Sequence, residues 1–148
     1  MLSLSPGWRG QPYIARGTVK DLGSAQYLAA HASPGDPIVV MGYRRSVTAY
    51  YLDRVRRPYT LRSFPAELAE HPGWFSASRL LRDRERLAQE GEALARELVT
   101  AARQGRTVWV LTSPFSEVDD YLHRPLRRLM VVDGQCSRRD LSIVCLRP

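Results

Sequence analysis

Pro34-Gly35-Asp36-Pro37-Ile38-Val39-Val40-Met41-Gly42-Tyr43-Arg44-Arg45-Ser46-Val47-Thr48-Ala49-Tyr50-Tyr51-Leu52-Asp53-Arg54 is the stretch on which the fold turns. A Pro-Gly-Asp turn opens into an unbroken apolar run, Ile38 to Met41, which stops at Gly42. Such a run fits a strand covered on both faces, as in a parallel sheet. The next segment is amphipathic: Ser46 stands where a helix cap is wanted, and Val47, Tyr50, Tyr51 and Leu52 supply apolar bulk as far as Arg54. The order is strand, loop, helix. Ligands of open parallel sheets gather at the carboxyl ends of strands, and that end here is Gly42-Tyr43-Arg44-Arg45. Tyr43, Arg44 and Arg45, joined by Tyr50 and Tyr51, are therefore the candidate ligand-binding residues, with guanidinium forks and aromatic faces suited to a phosphate or a sugar. The competing reading leaves the arginines solvated and divides the tyrosines between core and rim.

Upstream, Leu22, Ala25, Leu28 and Ala29 fall at helical spacing and predict a helix over Lys20 to Ala32, with Asp21 near its start as a cap. Downstream, Arg56-Arg57-Pro58 breaks the second helix, and Tyr59-Thr60-Leu61 reads as a short strand parallel to the first. Pro65 to Ala69 is a helical turn, closed by His71-Pro72-Gly73. Ser76 to Gln104 is a long helical zone striped by Leu80, Leu87, Leu94, Leu98 and Ala101. Gly91 offers a break point within it, the early part from Ser76 to Arg86 stands open as a separate helix, and Glu92 sits at pairing distance from Arg96. Gly105 ends it as a C-cap glycine.

Thr107 to Thr112 is the clearest strand and should be central, ended by Ser113-Pro114. Ser116 to Arg128 is a helix, with Ser116 as its cap, acids in its first turn, arginines in its last, and Pro125 as a kink or division. Leu129 to Val132 and Leu141 to Leu146 are joined too closely for a crossover helix, so they predict an antiparallel hairpin at one edge.

The chain has 148 residues, one domain's length, and 44% apolar and 25% charged residues, an ordinary globular balance. No stretch approaches the roughly 20 apolar residues of a membrane helix. Residues 1–19 read as a linker or fragment edge and 20–148 as a single α/β domain. Net charge is +7, and Lys20 is the only lysine among 22 basic residues. The arginines are scattered in pairs, whereas nucleic-acid binding wants a concentrated patch, so no nucleic-acid partner is expected.

No glycine-rich phosphate loop, nucleophile elbow or metal-ligand spacing is present, so no cofactor, metal or catalytic residue is assigned. Asp119-Asp120 resembles half of an acidic metal pair but fits a helix's first turn better. A hairpin turning at Ser137 to Asp140 sets Cys136 against Leu141 and Cys145 against Val132. That register leaves the sulfurs about 13 Å apart, too far for a disulfide. Two free thiols are expected, with Cys145 buried.

Tyr27-Leu28-Ala29-Ala30-His31, Pro34-Gly35-Asp36-Pro37-Ile38-Val39-Val40, Ala49-Tyr50-Tyr51-Leu52-Asp53-Arg54 and Arg106-Thr107-Val108-Trp109-Val110-Leu111, with the final strand pair, resemble the C-terminal domain that follows the membrane helices of bacterial GT-C glycosyltransferases. These are the protein mannosyltransferase and aminoarabinose transferase relatives. The resemblance spans about Lys20 to Pro148.

It implies a three-layer Rossmann-like sheet, mostly parallel, with an antiparallel C-terminal edge hairpin. It also implies an extracytoplasmic accessory domain of a polyprenyl-phosphate-sugar-dependent enzyme, partnered by that enzyme's membrane domain and touching a glycan or sugar phosphate. In the family an acidic residue in a loop near the start of the membrane region acts as catalytic base, so no residue here inherits that role and the isolated chain should transfer no sugar. The rival expectation is a free-standing Rossmann-like enzyme or binding domain for a nucleotide or phosphorylated small molecule.

Overall fold

The computed structural model describes residues 12–55, 59–70, 76–112 and 117–148, with the side chains of 12–19 and of Tyr43 outside that description. Among the described residues, five strands form one open sheet in the order β2-β1-β3-β5-β4. They are β1 (Pro37–Met41), β2 (Thr60–Phe64), β3 (Val108–Leu111), β4 (Val131–Val132) and β5 (Ile143–Arg147). Both β2 and β3 pair parallel with β1; β5 pairs antiparallel with β3 and with β4. As expected from their apolar runs, β1 and β3 are adjacent, central and buried along their whole lengths. Burying each such aliphatic side chain contributes about 1.5–3 kcal/mol.

Side chains of a strand alternate between faces, and the core divides accordingly. Val39, Met41, Phe64, Val108 and Val110 pack with the helices α4 (Arg84–Arg103) and α5 (Glu117–Leu129). Ile38, Val40, Trp109 and Leu111 pack with α1 (Pro12–His31) and α2 (Arg45–Arg54). The short helix α3 (Ala77–Leu80) adds Leu80 to a small cluster with Leu87 and Val118.

Asp36 explains the start of the sheet. Its carboxylate accepts from Ser33 N (2.8 Å), Thr107 N (3.0 Å) and Trp109 Nε1 (3.2 Å), tying the turn before β1 to the start of β3. The ring of Tyr27 stands edge-on to Trp109, with centroids 6.2 Å apart. Three residues from separate phrases of the sequence resemblance thus meet in one place.

Several boundaries differ from the sequence reading. Helix α1 begins at Pro12, inside the stretch read as linker, so Asp21 is mid-helix and not a cap. Ser46 lies within α2, whose N-cap is Arg44 with no side-chain hydrogen bond. Strand β2 runs on to Phe64, where a cis peptide leads into Pro65. The early part of the long helical zone is a helix of its own, in line with one of the two readings, whereas α4 starts after Asp83, whose side chain caps it, and runs unbroken through Gly91. Glu92 pairs with Arg128 of α5 at 2.8 Å instead of with Arg96. Pro125 does not divide α5. The breakers Arg56-Arg57-Pro58 and His71-Pro72-Gly73, the strand end Ser113-Pro114 and the cap Ser116 lie outside the described residues.

The hairpin requires the largest correction. Val132 faces Leu146, one residue from the expected register. The chain then folds back at once. Gln135 N donates to Asp133 Oδ1 (2.8 Å), and Ser137 gives both its amide (3.1 Å) and its hydroxyl (2.7 Å) to the Asp133 carbonyl. Local side-chain bonds of this kind compete with a ladder. The returning segment runs beside β5 again, with Arg138 bridged to Ile143 and the Ser137 hydroxyl accepting from Cys145 N at 3.0 Å. Cys136 is therefore carried back over Cys145. Their Cα atoms are 5.7 Å apart and the sulfurs are bonded, where two free thiols were expected. Cys145 is buried, as expected.

Candidate functional site

Strands β1, β2 and β3 run the same way, so Met41, Phe64 and Leu111 end on one rim of the sheet. Gly42, at φ +58°, turns the chain off β1 into a single 3-10 turn and then α2. The side chain of Tyr43 lies outside the described residues. Arg44 turns inward and is 4% exposed. Its Nε (3.0 Å) and Nη2 (2.8 Å) donate to Asp21 Oδ1, Nη2 also to Ser24 Oγ (3.1 Å), and Nη1 to the Thr112 carbonyl (3.1 Å). Ser24 Oγ in turn reaches the carbonyls of Lys20 (2.8 Å) and Leu141 (3.0 Å). One guanidinium thus joins α1, the end of β3 and, through Ser24, the segment before β5.

The other predicted residues diverge from it. Arg45 Nη1 donates to the Leu61 carbonyl (3.2 Å) and to Ser63 Oγ (3.1 Å), bracing the edge strand β2. Tyr50 is exposed, with the Arg54 guanidinium 4.2 Å above its ring and its hydroxyl bonded to Arg54. Tyr51 meets Tyr50 edge-on at 5.2 Å and packs on the α1–α2 side of the core. Arg44, Arg45, Tyr50 and Tyr51 therefore do not converge on one pocket.

A polar cleft lies elsewhere, between the first turn of α4 and the first two turns of α5. It holds about 100 Å³ and is lined by Arg84, Glu117, Asp120, Tyr121 and Arg124. Arg84 binds Glu117 and, at 3.2 Å, the Tyr121 hydroxyl, and Arg124 pairs with Asp120 at 3.5 Å. The hydrogen bond that Arg84 donates to Glu117, then the one it donates to Tyr121, raises the Arg84 pKa above its ordinary value. Two guanidinium groups balanced by two carboxylates disfavour an anion. They suit a neutral ligand rich in hydroxyls, which donates to the acids and accepts from the arginines. Arg84 and Glu117 are far apart in sequence, so only the packing of α4 on α5 reveals the cleft.

Two further groups bear on chemistry. Asp119, of the acidic pair, is fully buried in the first turn of α5, whereas Asp120 is half-exposed in the cleft. Asp133, Cys136 and Cys145 bring ligand-type atoms within 4.8 Å of one another, but the two sulfurs are joined, which leaves no thiolate for an ion. No helix among the described residues is long and apolar enough to cross a membrane. Comparison with protein-family models, curated proteins and solved structures finds no match.

Proposed function

We propose that the chain is a three-layer Rossmann-like unit serving as the extracytoplasmic accessory domain of a polyprenyl-phosphate-sugar-dependent membrane glycosyltransferase, with no transfer activity of its own. The observation that carries this reading is the Cys136–Cys145 disulfide. Such bonds persist in oxidising compartments and are rare in reducing ones. The layering is supported by α1 and α2 packing on one set of strand residues while α4 and α5 pack on the other. The meeting of Tyr27, Asp36 and Trp109 supplies a physical reason for the phrases on which the family resemblance rests.

The partner is the enzyme's membrane domain. The charge-balanced cleft at Arg84, Glu117 and Tyr121 is the better place for glycan hydroxyls than the strand end at Arg44, whose donors are engaged. That engagement also removes the main support for a free-standing enzyme acting on a nucleotide or phosphorylated molecule.

Acid-quenching of cells that make the protein natively, followed by alkylation of the denatured chain, tests the compartment. Both cysteines should resist alkylation unless first reduced, and two reactive thiols would overturn the reading. The purified chain with a polyprenyl-phosphate hexose should transfer no sugar above a heat-killed control. Turnover there, or saturable nucleotide binding, would replace the accessory role with an enzymatic one.

A further inference from the structure

We propose that the sheet edge formed by the last turn of α5, β4 and the end of β5 docks on an anionic phospholipid surface. Five large apolar residues are exposed among those described, and three of them, Leu129 (39%), Val131 (66%) and Val132 (49%), fall within four consecutive positions at this edge. Strand β4 is only two residues long and both are exposed. Successive strand side chains point to opposite faces, so Val131 and Val132 flank this edge strand on its two sides and the rim itself is apolar.

Arginines outnumber acids around them, three to the two carboxylates of Glu92 and Asp133. Arg127 and Arg128 occupy the last turn of α5, directly before Leu129, and Arg147 stands opposite Val131 in the β4–β5 register. Arg127 is exposed and has no ion-pair partner among the described residues. Arg128 pairs with Glu92 and Arg147 with Asp133, yet both side chains stay more than 60% exposed, so their heads are available to a second anion. Apolar side chains flanked by arginines match the boundary between acyl chains and anionic headgroups. A protein partner with the same chemistry would have to present both an apolar strip and a ring of acids. A second copy of this edge would set arginine against arginine. The inference goes beyond the accessory-domain reading and does not depend on it.

Co-flotation of the full 148-residue chain with phosphatidylglycerol–phosphatidylcholine vesicles, and with pure phosphatidylcholine, tests it. Binding is expected only to the anionic vesicles and should fall steeply with salt. Val131→Ser with Val132→Ser should abolish it. Arg127→Ser, Arg128→Ser and Arg147→Ser together should weaken it roughly fivefold per arginine. Circular dichroism checks that each variant folds. Arg79→Ser with Arg82→Ser, in α3 and the turn that follows it, should leave binding unchanged. No flotation, equal flotation with both vesicles, or equal loss in the Arg79 and Arg82 control would overturn the proposal. So would a dimer without vesicles, in sedimentation equilibrium, that the valine substitutions dissolve.

Discussion

The carbonyl oxygen of Tyr121 in α5 occupies the space where any residue larger than glycine would place its Cβ at position 91 of α4. A Cβ built on Gly91 stands 2.1 Å from that oxygen. The cause lies four residues on: Pro125 has no N–H to give to the Tyr121 carbonyl, and its ring crowds that same group. Gly91 and Pro125 are thus a matched pair that lets the two helices approach. In an exposed helix Gly→Ala gains about 1 kcal/mol. Here Gly91→Ala should instead cost at least the upper end of the roughly 1–3 kcal/mol of an overpacked core. In a Pro125→Ala background the carbonyl regains a helical partner, and the cost should shrink by at least about 0.5 kcal/mol. Urea denaturation of the four proteins measures this, and strict additivity would refute the pairing.

Arg44 is predicted to matter for stability, not for binding. Its removal leaves Asp21, 16% exposed, without its cation. Breaking a pair this buried costs about 3–5 kcal/mol. Arg44→Lys should recover only part of that, because one ammonium cannot reach Asp21, Ser24 and the Thr112 carbonyl with the geometry of the planar fork. An Arg44→Ala protein of near wild-type stability that had lost affinity for a sugar phosphate would return this residue to the ligand site.

The disulfide closes a loop over a sequence separation of 9 residues. Chain-entropy arguments give such a loop roughly 2–3 kcal/mol. Cys136→Ser with Cys145→Ser should lower stability by about that amount, and the unreduced wild type should show no reactive thiol when denatured. Two titratable thiols would restore the simple hairpin and the register first read from the sequence.

His123 gives the fold an acid limb. Burial, then the neighbouring Arg127 charge, lowers its pKa below the ordinary 6.5, with Asp120 opposing. The unfolded chain therefore binds the proton more readily than the folded one. Stability from this group is complete above about pH 6.5 and declines as the pH falls toward the lower folded value. The difference in unfolding free energy between wild type and His123→Gln should change across that window and be flat above it. A difference that stays constant down to pH 5 would contradict the sign.

Local chemistry was legible where one segment decided its own fate. The apolar runs Ile38 to Met41 and Val108 to Leu111 gave adjacent central strands. The acid-to-base gradient along α5 gave its helix, with Glu117, Asp119 and Asp120 in the first turn and Arg127 and Arg128 in the last. What failed depended on distant partners. Gly91 reads as a break until Tyr121 is placed against it, and Arg44 reads as a ligand arginine until Asp21 and Ser24 are brought beneath it. Cys136 and Cys145 look out of register until Asp133 is seen to capture Ser137. The cleft at Arg84 and Glu117 had no signal in either segment alone.

Asp36 fastens one end of the β1–β3 pair and Arg44 the other, through the Thr112 carbonyl. Two strands held at both ends by side chains from outside the ladder cannot fray apart one residue at a time. Their amides should therefore surrender deuterium last and together, at a rate set by opening of the whole molecule. Loss of either tether would turn that single slow event into progressive exchange from the released end. A time course that compares the Ile38–Trp109 level with the Val40–Leu111 level would show which end had been freed.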